Sequence, residues 1–254
     1  MIKKKERIII IDFGSQVTKL IARRIRDLGV YSEILNLKDL NKFKNFNKVK
    51  GIILSGGPAT VTKKVFPQIS DKIFLKDIPI LGICYGLQLI AKRFGGKIKT
   101  DKKKREFGRV ELKKVKNSKL TENFYNRNKA TVWMSHQDVV YRLPKNFIKI
   151  ASTKNSALTI IENNKKKIYG IQFHPEVTHT NNGVRLIKNF IFKICKIKKN
   201  WRVESEKKSL IKQISDTVKN GKVICALSGG VDSSVVALLI NKAIKKRLKC
   251  IMVD

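Results

Sequence analysis

Cys84 lies in Gly82-Ile83-Cys84-Tyr85-Gly86, between an apolar run and a stretch of helical spacing. These five residues have the G-x-S-x-G shape of a nucleophile elbow, with sulphur in place of the serine hydroxyl. The flanking glycines permit the tight backbone that such a turn requires. A cysteine at a helix N-terminus faces free backbone N–H groups and the positive end of the helix dipole, both of which favour thiolate. A thiolate can attack a carboxamide carbon and form a thioester. A small cysteine buried in the core is the other reading of the same five residues. The chemistry also needs a base. His174 ends a predicted strand, and Glu176 follows two residues on, across Pro175. The proline fixes the local backbone, so both side chains can leave the same strand end. A carboxylate there would hold the imidazole in one tautomer. His136 and His179 are rivals, but neither has a carboxylate at comparably rigid spacing, although Asp138 lies near His136.

Two glycine-rich turns offer backbone N–H groups. Ser55-Gly56-Gly57-Pro58 follows a short apolar strand and reads either as an ordinary turn or as a place where a ligand meets bare backbone. Ser228-Gly229-Gly230-Val231-Asp232-Ser233-Ser234 follows the predicted strand Val223 to Leu227 and opens a helix. Its N–H groups and hydroxyls form an anion cradle at a helix N-terminus. Asp232 is placed to hold Mg²⁺ beside bound phosphates. The lysine of a Walker A loop is absent, so the pattern is a different phosphate loop.

The elements that must position these groups alternate between strand and helix, which predicts an α/β fold with an open, mostly parallel sheet and flanking helices. Strands are expected at 7–11, 51–54, 78–83, 109–115, 131–134 and 168–173, and helices at 18–28, 85–94 and 182–195. In the last helix Val184, Ile187, Ile191 and Ile194 are taken as the apolar face. The basic stretch Lys196 to Asn200 marks a boundary, giving a first domain over 1–199 and a linking helix within 200–221. A second α/β segment covers 222–254, with strands at 222–227 and 249–253 around the phosphate loop and its helix.

The chain of 254 residues has a formal net charge of +37 and four cysteines far apart in sequence. No C-x-x-C pair or histidine spacing suggests a zinc site or a disulfide framework. No run is long and apolar enough to span a membrane. The basic start, Met1 to Arg7, leads into too short an apolar stretch for a signal peptide, and a cytoplasmic location is expected. Such charge raises the question of nucleic acid. However, the lysines are scattered and accompany no recognised nucleic-acid motif, so a compositional bias is favoured over a specific nucleic-acid partner. Acidic polymers should still adhere non-specifically, and low salt should strain the fold through self-repulsion.

Cys84 in "PILGICYGLQ", with His174 and Glu176 in "GIQFHPEV", resembles the catalytic triad of class I glutamine amidotransferases, and residues 7–195 resemble that domain throughout. The resemblance implies cysteine as nucleophile, histidine as general base and acid, and glutamate as the orienting group. It assigns the N–H groups of Gly57 and Tyr85 to an oxyanion hole, and Gln88, Ser135, Gln137 and Asp138 to the glutamine pocket. The family has glycine where Gln137 stands, which bears on glutamine affinity more than on chemistry. "LSGGVDSSVVALLINKAI" resembles the PP-loop of ATP pyrophosphatases, and the order of the two motifs resembles the GMP synthase family. "IDFGSQ" and "REFG" agree, with "REYG" usual in the family and glycine usual where Lys245 stands. The resemblance implies amination of xanthosine monophosphate (XMP) to GMP, with glutamine and ATP as co-substrates, Mg²⁺ on the synthetase half, no cofactor for the glutaminase step, and a homodimer for the complete enzyme. It further implies that the family enzyme continues beyond Asp254. This chain is then expected to carry glutamine hydrolysis and only the opening of the synthetase half, which would be completed in cis or in trans. A decayed, non-catalytic remnant is the alternative.

Overall fold

The computed structural model describes residues 5–101 and 103–252. Its contacts divide the chain into two compact units, Met1–Asn200 and Trp201–Asp254.

The first unit begins with β1 (Arg7–Asp12), α1 (Thr18–Asp27), β2 (Ser32–Asn36), α2 (Leu37–Lys42), β3 (Val49–Leu54), β4 (Ile80–Ile83) and α3 (Tyr85–Arg93). It continues with β5 (Lys97–Thr100), β6 (Glu106–Lys114), β7 (Lys129–His136), β8 (Asp138–Arg142), β9 (Ile148–Ser152), β10 (Ile160–Asn163), β11 (Ile168–Ile171) and α4 (Gly183–Asn189). A π-helical turn, Phe190–Ile194, extends α4. Nine strands form one sheet in the order β2-β1-β3-β4-β11-β10-β9-β6-β7. The half from β2 to β11 is parallel, and the half from β11 to β7 is antiparallel. Strands β5 and β8 pair separately as an antiparallel ribbon.

The apolar runs of β1, β3 and β4 are explained by burial on both faces, as parallel strands require. Ile8 and Ile10 of β1 enter one core layer with Ile21 and Ile25 of α1 and Leu186 and Ile187 of α4. Ile9 and Ile11 enter the opposite layer with Leu87 and Ile90 of α3. The two-residue alternation of a strand thus sorts one isoleucine run into two cores. Both layers press on the same central strands, which fixes where their carboxyl ends lie.

The expected strands and helices of this unit form, with ends shifted by a few residues. Strands β2, β5, β8, β9 and β10 and helix α2 were not anticipated: all are short, β8 confines its apolar residues to Val139, Val140 and Tyr141, and the others interrupt theirs with Lys, Glu or Asn. The expected face of the last helix is corrected at Val184, which is 39% exposed while Leu186, Ile187, Phe190 and Ile191 are buried. Those four define the buried stripe, and Val184 lies roughly a quarter-turn from its centre at 3.6 residues per turn.

The second unit contains α5 (Val203–Val218), β12 (Val223–Leu227), α6 (Val231–Ile244) and β13 (Leu248–Met252). β12 and β13 pair in parallel. Of the strand expected at 249–253, Val253 lies outside the described residues, as does Asp254. Lys245, where the resembled family has glycine, caps α6 with φ 52° and ψ −123°. A side chain in that region is strained by about 1 kcal/mol or more, whereas glycine adopts it freely. Lys245→Gly is therefore expected to stabilise the second unit by about 1 kcal/mol. Slower amide hydrogen exchange along α6 would register the gain, and unchanged or faster exchange would contradict it.

Candidate active site

Cys84 caps the N-terminus of α3, directly after β4, with φ 53° and ψ −104°. That conformation lies outside the allowed regions for an ordinary side chain. Packing sustains it. The Cys84 N–H donates to Ile171 O at 2.8 Å, and the Cys84 carbonyl accepts from the Gln88 N–H at 3.2 Å. Gly86, the second residue of α3, presses so closely on the Leu54 carbonyl that no Cβ could fit there. The turn therefore holds the sulphur at the carboxyl edge of the sheet, and Cys84 is only 6% exposed.

Strand β11 is the neighbour of β4, and the segment after it carries His174 and Glu176. His174 Nδ1 donates to Glu176 Oε1 at 2.7 Å. The proton is thereby fixed on Nδ1, and the ring shares a cavity wall with Cys84, whose sulphur favours the charged imidazolium. The backbone is pinned as well. His174 N–H donates to Trp133 O at 3.1 Å, Thr180 Oγ1 donates to His174 O at 2.6 Å, and Arg24 Nε donates to Glu176 O at 3.0 Å. Burial pushes the His174 pKa down, but its bonds to Cys84 and Glu176 and their charges outweigh this and raise it to about 10. The imidazolium is thus held into the alkaline range. A sulphur, an imidazole and a carboxylate behind it are brought together at this edge, the set of groups needed for acyl transfer through a thioester.

Gly57 follows β3, on the other side of β4. A Cβ there would lie 2.6 Å from Phe13 O, so the close approach of the two backbones requires glycine. Among the described residues neither Gly57 N–H nor Tyr85 N–H has a hydrogen-bond partner. Both border a cavity of ≈ 400 Å³ that also takes in Cys84, Gln88, Ser135, Gln137 and Asp138. A second cavity of ≈ 430 Å³ reaches Cys84 and His174 from the side of Gly14 to Val17 and Trp133. A larger one, ≈ 670 Å³, lies among Lys114, Ser118, Arg127 and Glu162 and is lined by no cysteine or histidine.

Gln88, which the resemblance assigns to the glutamine pocket, is buried and donates from Nε2 to Asp138 O at 3.2 Å. The Asp138 carboxylate accepts from Thr100 Oγ1 at 2.6 Å and from Thr60 Oγ1. Ser135 contributes its carbonyl, which accepts from Cys84 Sγ at 3.7 Å, and Gln137 is exposed beside it. Ser228 to Ser234 lie in the second unit, where Ser228 Oγ bonds Ser233 Oγ at 3.3 Å and Ser234 Oγ donates to Gly230 O at 3.0 Å.

Two buried partners were missed. His136 Nε2 meets Glu106 Oε2 at 3.2 Å, while Nδ1 meets Asp138 O at 3.1 Å, so the rival histidine does have a carboxylate. Glu106 stands opposite His136 in the β6–β7 pairing, and only recognition of that hairpin's register could have joined them. Gln172, two residues before His174, donates from Nε2 to Cys84 Sγ at 3.7 Å. No local signal marks it, because the pairing of β11 with β4 decides what it faces. His179 packs on Trp133, with ring centroids 4.4 Å apart.

The class-I glutamine amidotransferase family model matches residues 9–194. The chain belongs to that family. A NAD synthase family model matches residues 203–253. Among curated proteins, the glutamine-hydrolysing GMP synthase of Fusobacterium nucleatum is 51% identical, covering 99% of this chain and 48% of the relative. That of Brachyspira hyodysenteriae is 48% identical, covering 98% and 48%. The chain thus spans about half the length of the curated relatives it matches. Among solved structures, a candidate GMP synthase subunit from Thermoplasma acidophilum has a TM-score of 0.66 and 31% identity, covering 76% of this chain and 94% of the other. A Thermotoga maritima glutamine amidotransferase has a TM-score of 0.58 and 21% identity, covering 95% and 97%, and shares the fold.

In this amidotransferase site the Glu176 charge helps hold the proton on His174. Glu176→Gln keeps an acceptor but removes the charge. The His174 ring is then expected to titrate lower by roughly one pH unit or more. NMR titration of the imidazole checks this, and an unmoved titration would contradict the assigned cause.

Proposed function

We propose that residues 7–195 hydrolyse glutamine to glutamate and ammonia, with Cys84 as nucleophile, His174 as general base and acid, and Glu176 as the orienting carboxylate. The observation that carries this reading is the 2.7 Å bond from His174 Nδ1 to Glu176 Oε1 behind a cysteine on a strained turn. The sulphur attacks the carboxamide carbon of glutamine. The developing oxyanion takes the unpaired N–H groups of Gly57 and Tyr85, each worth on the order of 100-fold in rate. His174 gives its proton to the departing nitrogen, and ammonia leaves a γ-glutamyl thioester. Water, activated by the now neutral imidazole, then releases glutamate.

Gln88, Ser135, Gln137 and Asp138 form the end of the pocket that receives the amino-acid part of glutamine. Asp138 would supply negative charge for the substrate's ammonium group, and its two threonine bonds fix its direction. Gln137 adds a side chain where the family has glycine, but its exposure lets that side chain turn to solvent.

The ammonia would be used by a synthetase half, in cis or in trans, that aminates XMP to GMP at the expense of ATP. The resemblance to GMP synthases and the match to the NAD synthase family over residues 203–253 support this destination. Residues 1–199 would form the glutaminase domain, 200–221 the linker and 222–254 the beginning of the ATP pyrophosphatase domain of a homodimeric enzyme. Ser228, Gly229, Gly230, Val231, Asp232, Ser233 and Ser234 would hold the ATP phosphates. Their fit is chemical: among the described residues the N–H groups of Val231, Asp232 and Ser233, where α6 opens, have no partner, and they lie beside exposed serines. Asp232 in that first turn is the residue that would hold Mg²⁺, which would neutralise phosphate charge when bound. A single carboxylate suits Mg²⁺, which takes its other ligands from phosphates and water.

Cys84→Ser is expected to lower glutamine hydrolysis at least about 1,000-fold with the fold unchanged by circular dichroism. A glutamine-like electrophile should label Cys84 and spare the exposed Cys250 and the buried Cys195, whose thiol pKa burial raises. Equal labelling of Cys84 and Cys250 would contradict an activated, substrate-accessible nucleophile.

A further inference from the structure

Gln172 is fully buried, yet its side chain has one hydrogen bond among the described residues, from Nε2 to Cys84 Sγ at 3.7 Å. Its Oε1 is buried with no protein partner. A buried amide left this poorly satisfied opposes folding unless its remaining contact serves another purpose. Nor does the side chain hold its own strand in place. The backbone N–H of Gln172, which donates to Thr159 O at 2.9 Å, does that whatever side chain is present.

The partners of the sulphur show what the amide does. The neutral thiol has one proton, which it donates to Ser135 O at 3.7 Å. Gln172 therefore meets the sulphur with its donor nitrogen. When the sulphur is anionic, the Ser135 carbonyl opposes the charge, while the Gln172 N–H and the His174 imidazolium favour it. A thioester sulphur is a weak acceptor, so the amide bond is strongest whenever thiolate is present or forming.

We propose that Gln172 is a further catalytic residue, whose side-chain amide stabilises the Cys84 thiolate as it leaves during thioester hydrolysis. This rests on the glutaminase reading above. In that step water attacks the thioester carbonyl carbon, and His174 accepts the water proton. The C–S bond then breaks, its electron pair stays on Cys84 Sγ, and glutamate departs. Negative charge grows on sulphur in the transition state, where a fixed donor lowers the barrier. The charged or titratable groups lining the cavities at the sulphur are Tyr85, His136, Asp138 at the start of β8 and His174 after β11, with Glu176 behind His174.

The test uses the full chain with Gln172→Leu, which keeps the approximate shape without a donor, and Gln172→Glu, which replaces the donor with a carboxylate. Deacylation is expected to slow about tenfold or more in both, the effect of losing a hydrogen bond to a charged group. The fraction of chain carrying a thioester at saturating glutamine, measured by acid quench and intact mass, should rise above the parent's. With deacylation limiting, kcat and KM should fall together. Alkylation of Cys84 by iodoacetamide, which needs no glutamine, reports whether the turn is intact in each variant. An unchanged thioester fraction with alkylatable Cys84 would overturn the proposal and leave the glutaminase reading standing. A parent chain that forms no thioester and does not hydrolyse glutamine would overturn both.

Discussion

The backbone of Cys84 cannot rest at φ 53° and ψ −104° unless its surroundings impose it. The strain is of order 1–3 kcal/mol for a residue with a side chain. It is imposed from both sides of the sheet. Above and below β4, the two apolar layers hold the strand and α3 at a fixed separation, and Gly86 lies flush against Leu54. The rest of the site is built around the sulphur so positioned. Its neighbours on the sheet, β3 and β11, deliver Gly57 and His174 because parallel strands end at the same edge.

The antiparallel half of the sheet supplies the other wall. Asp138 is held at its carboxylate by Thr60 and Thr100 and at its carbonyl by Gln88 and His136. Glu106 in turn holds His136 and accepts from Thr153 Oγ1 at 2.7 Å. The wall is therefore a chain of satisfied polar contacts reaching back into the sheet, which keeps the cavity beside Cys84 open without leaving it loose. The sulphur itself is balanced between a carbonyl that suits its neutral form and donors that suit its charged form, which is what a thioester chemistry running in both directions through thiolate requires.

What could be read from sequence follows the range of the interactions. Cys84, His174 and Glu176 declared themselves through short motifs attached to apolar strand ends, and β1, β3 and β4 through isoleucine-rich runs that only a doubly covered strand tolerates. Strands β9 and β10 were silent. The lysine within Ile148–Ser152 and the Glu-Asn end of Ile160–Asn163 mask their pairing, which depends on partners elsewhere in the chain. Glu106 was visible within "REFG" but not its contact with His136, because a register 30 residues apart decides it. Gln172 was hidden differently. Nothing about a glutamine in a strand tells which atom it will face until β11 is laid beside β4. Among the described residues no helix is long and apolar enough to cross a membrane, in keeping with the apolar pattern of the sequence.

The account stands on a covalent intermediate at one sulphur. The most direct measurement is peptide-level mass spectrometry of the chain quenched in acid during turnover of glutamine. The account predicts a γ-glutamyl adduct on the peptide containing Cys84, absent from the Cys84→Ser chain and from peptides containing Cys195, Cys225 and Cys250. Glutamine consumed at an undiminished rate by the Cys84→Ser chain, or an adduct carried by a different residue, would contradict it.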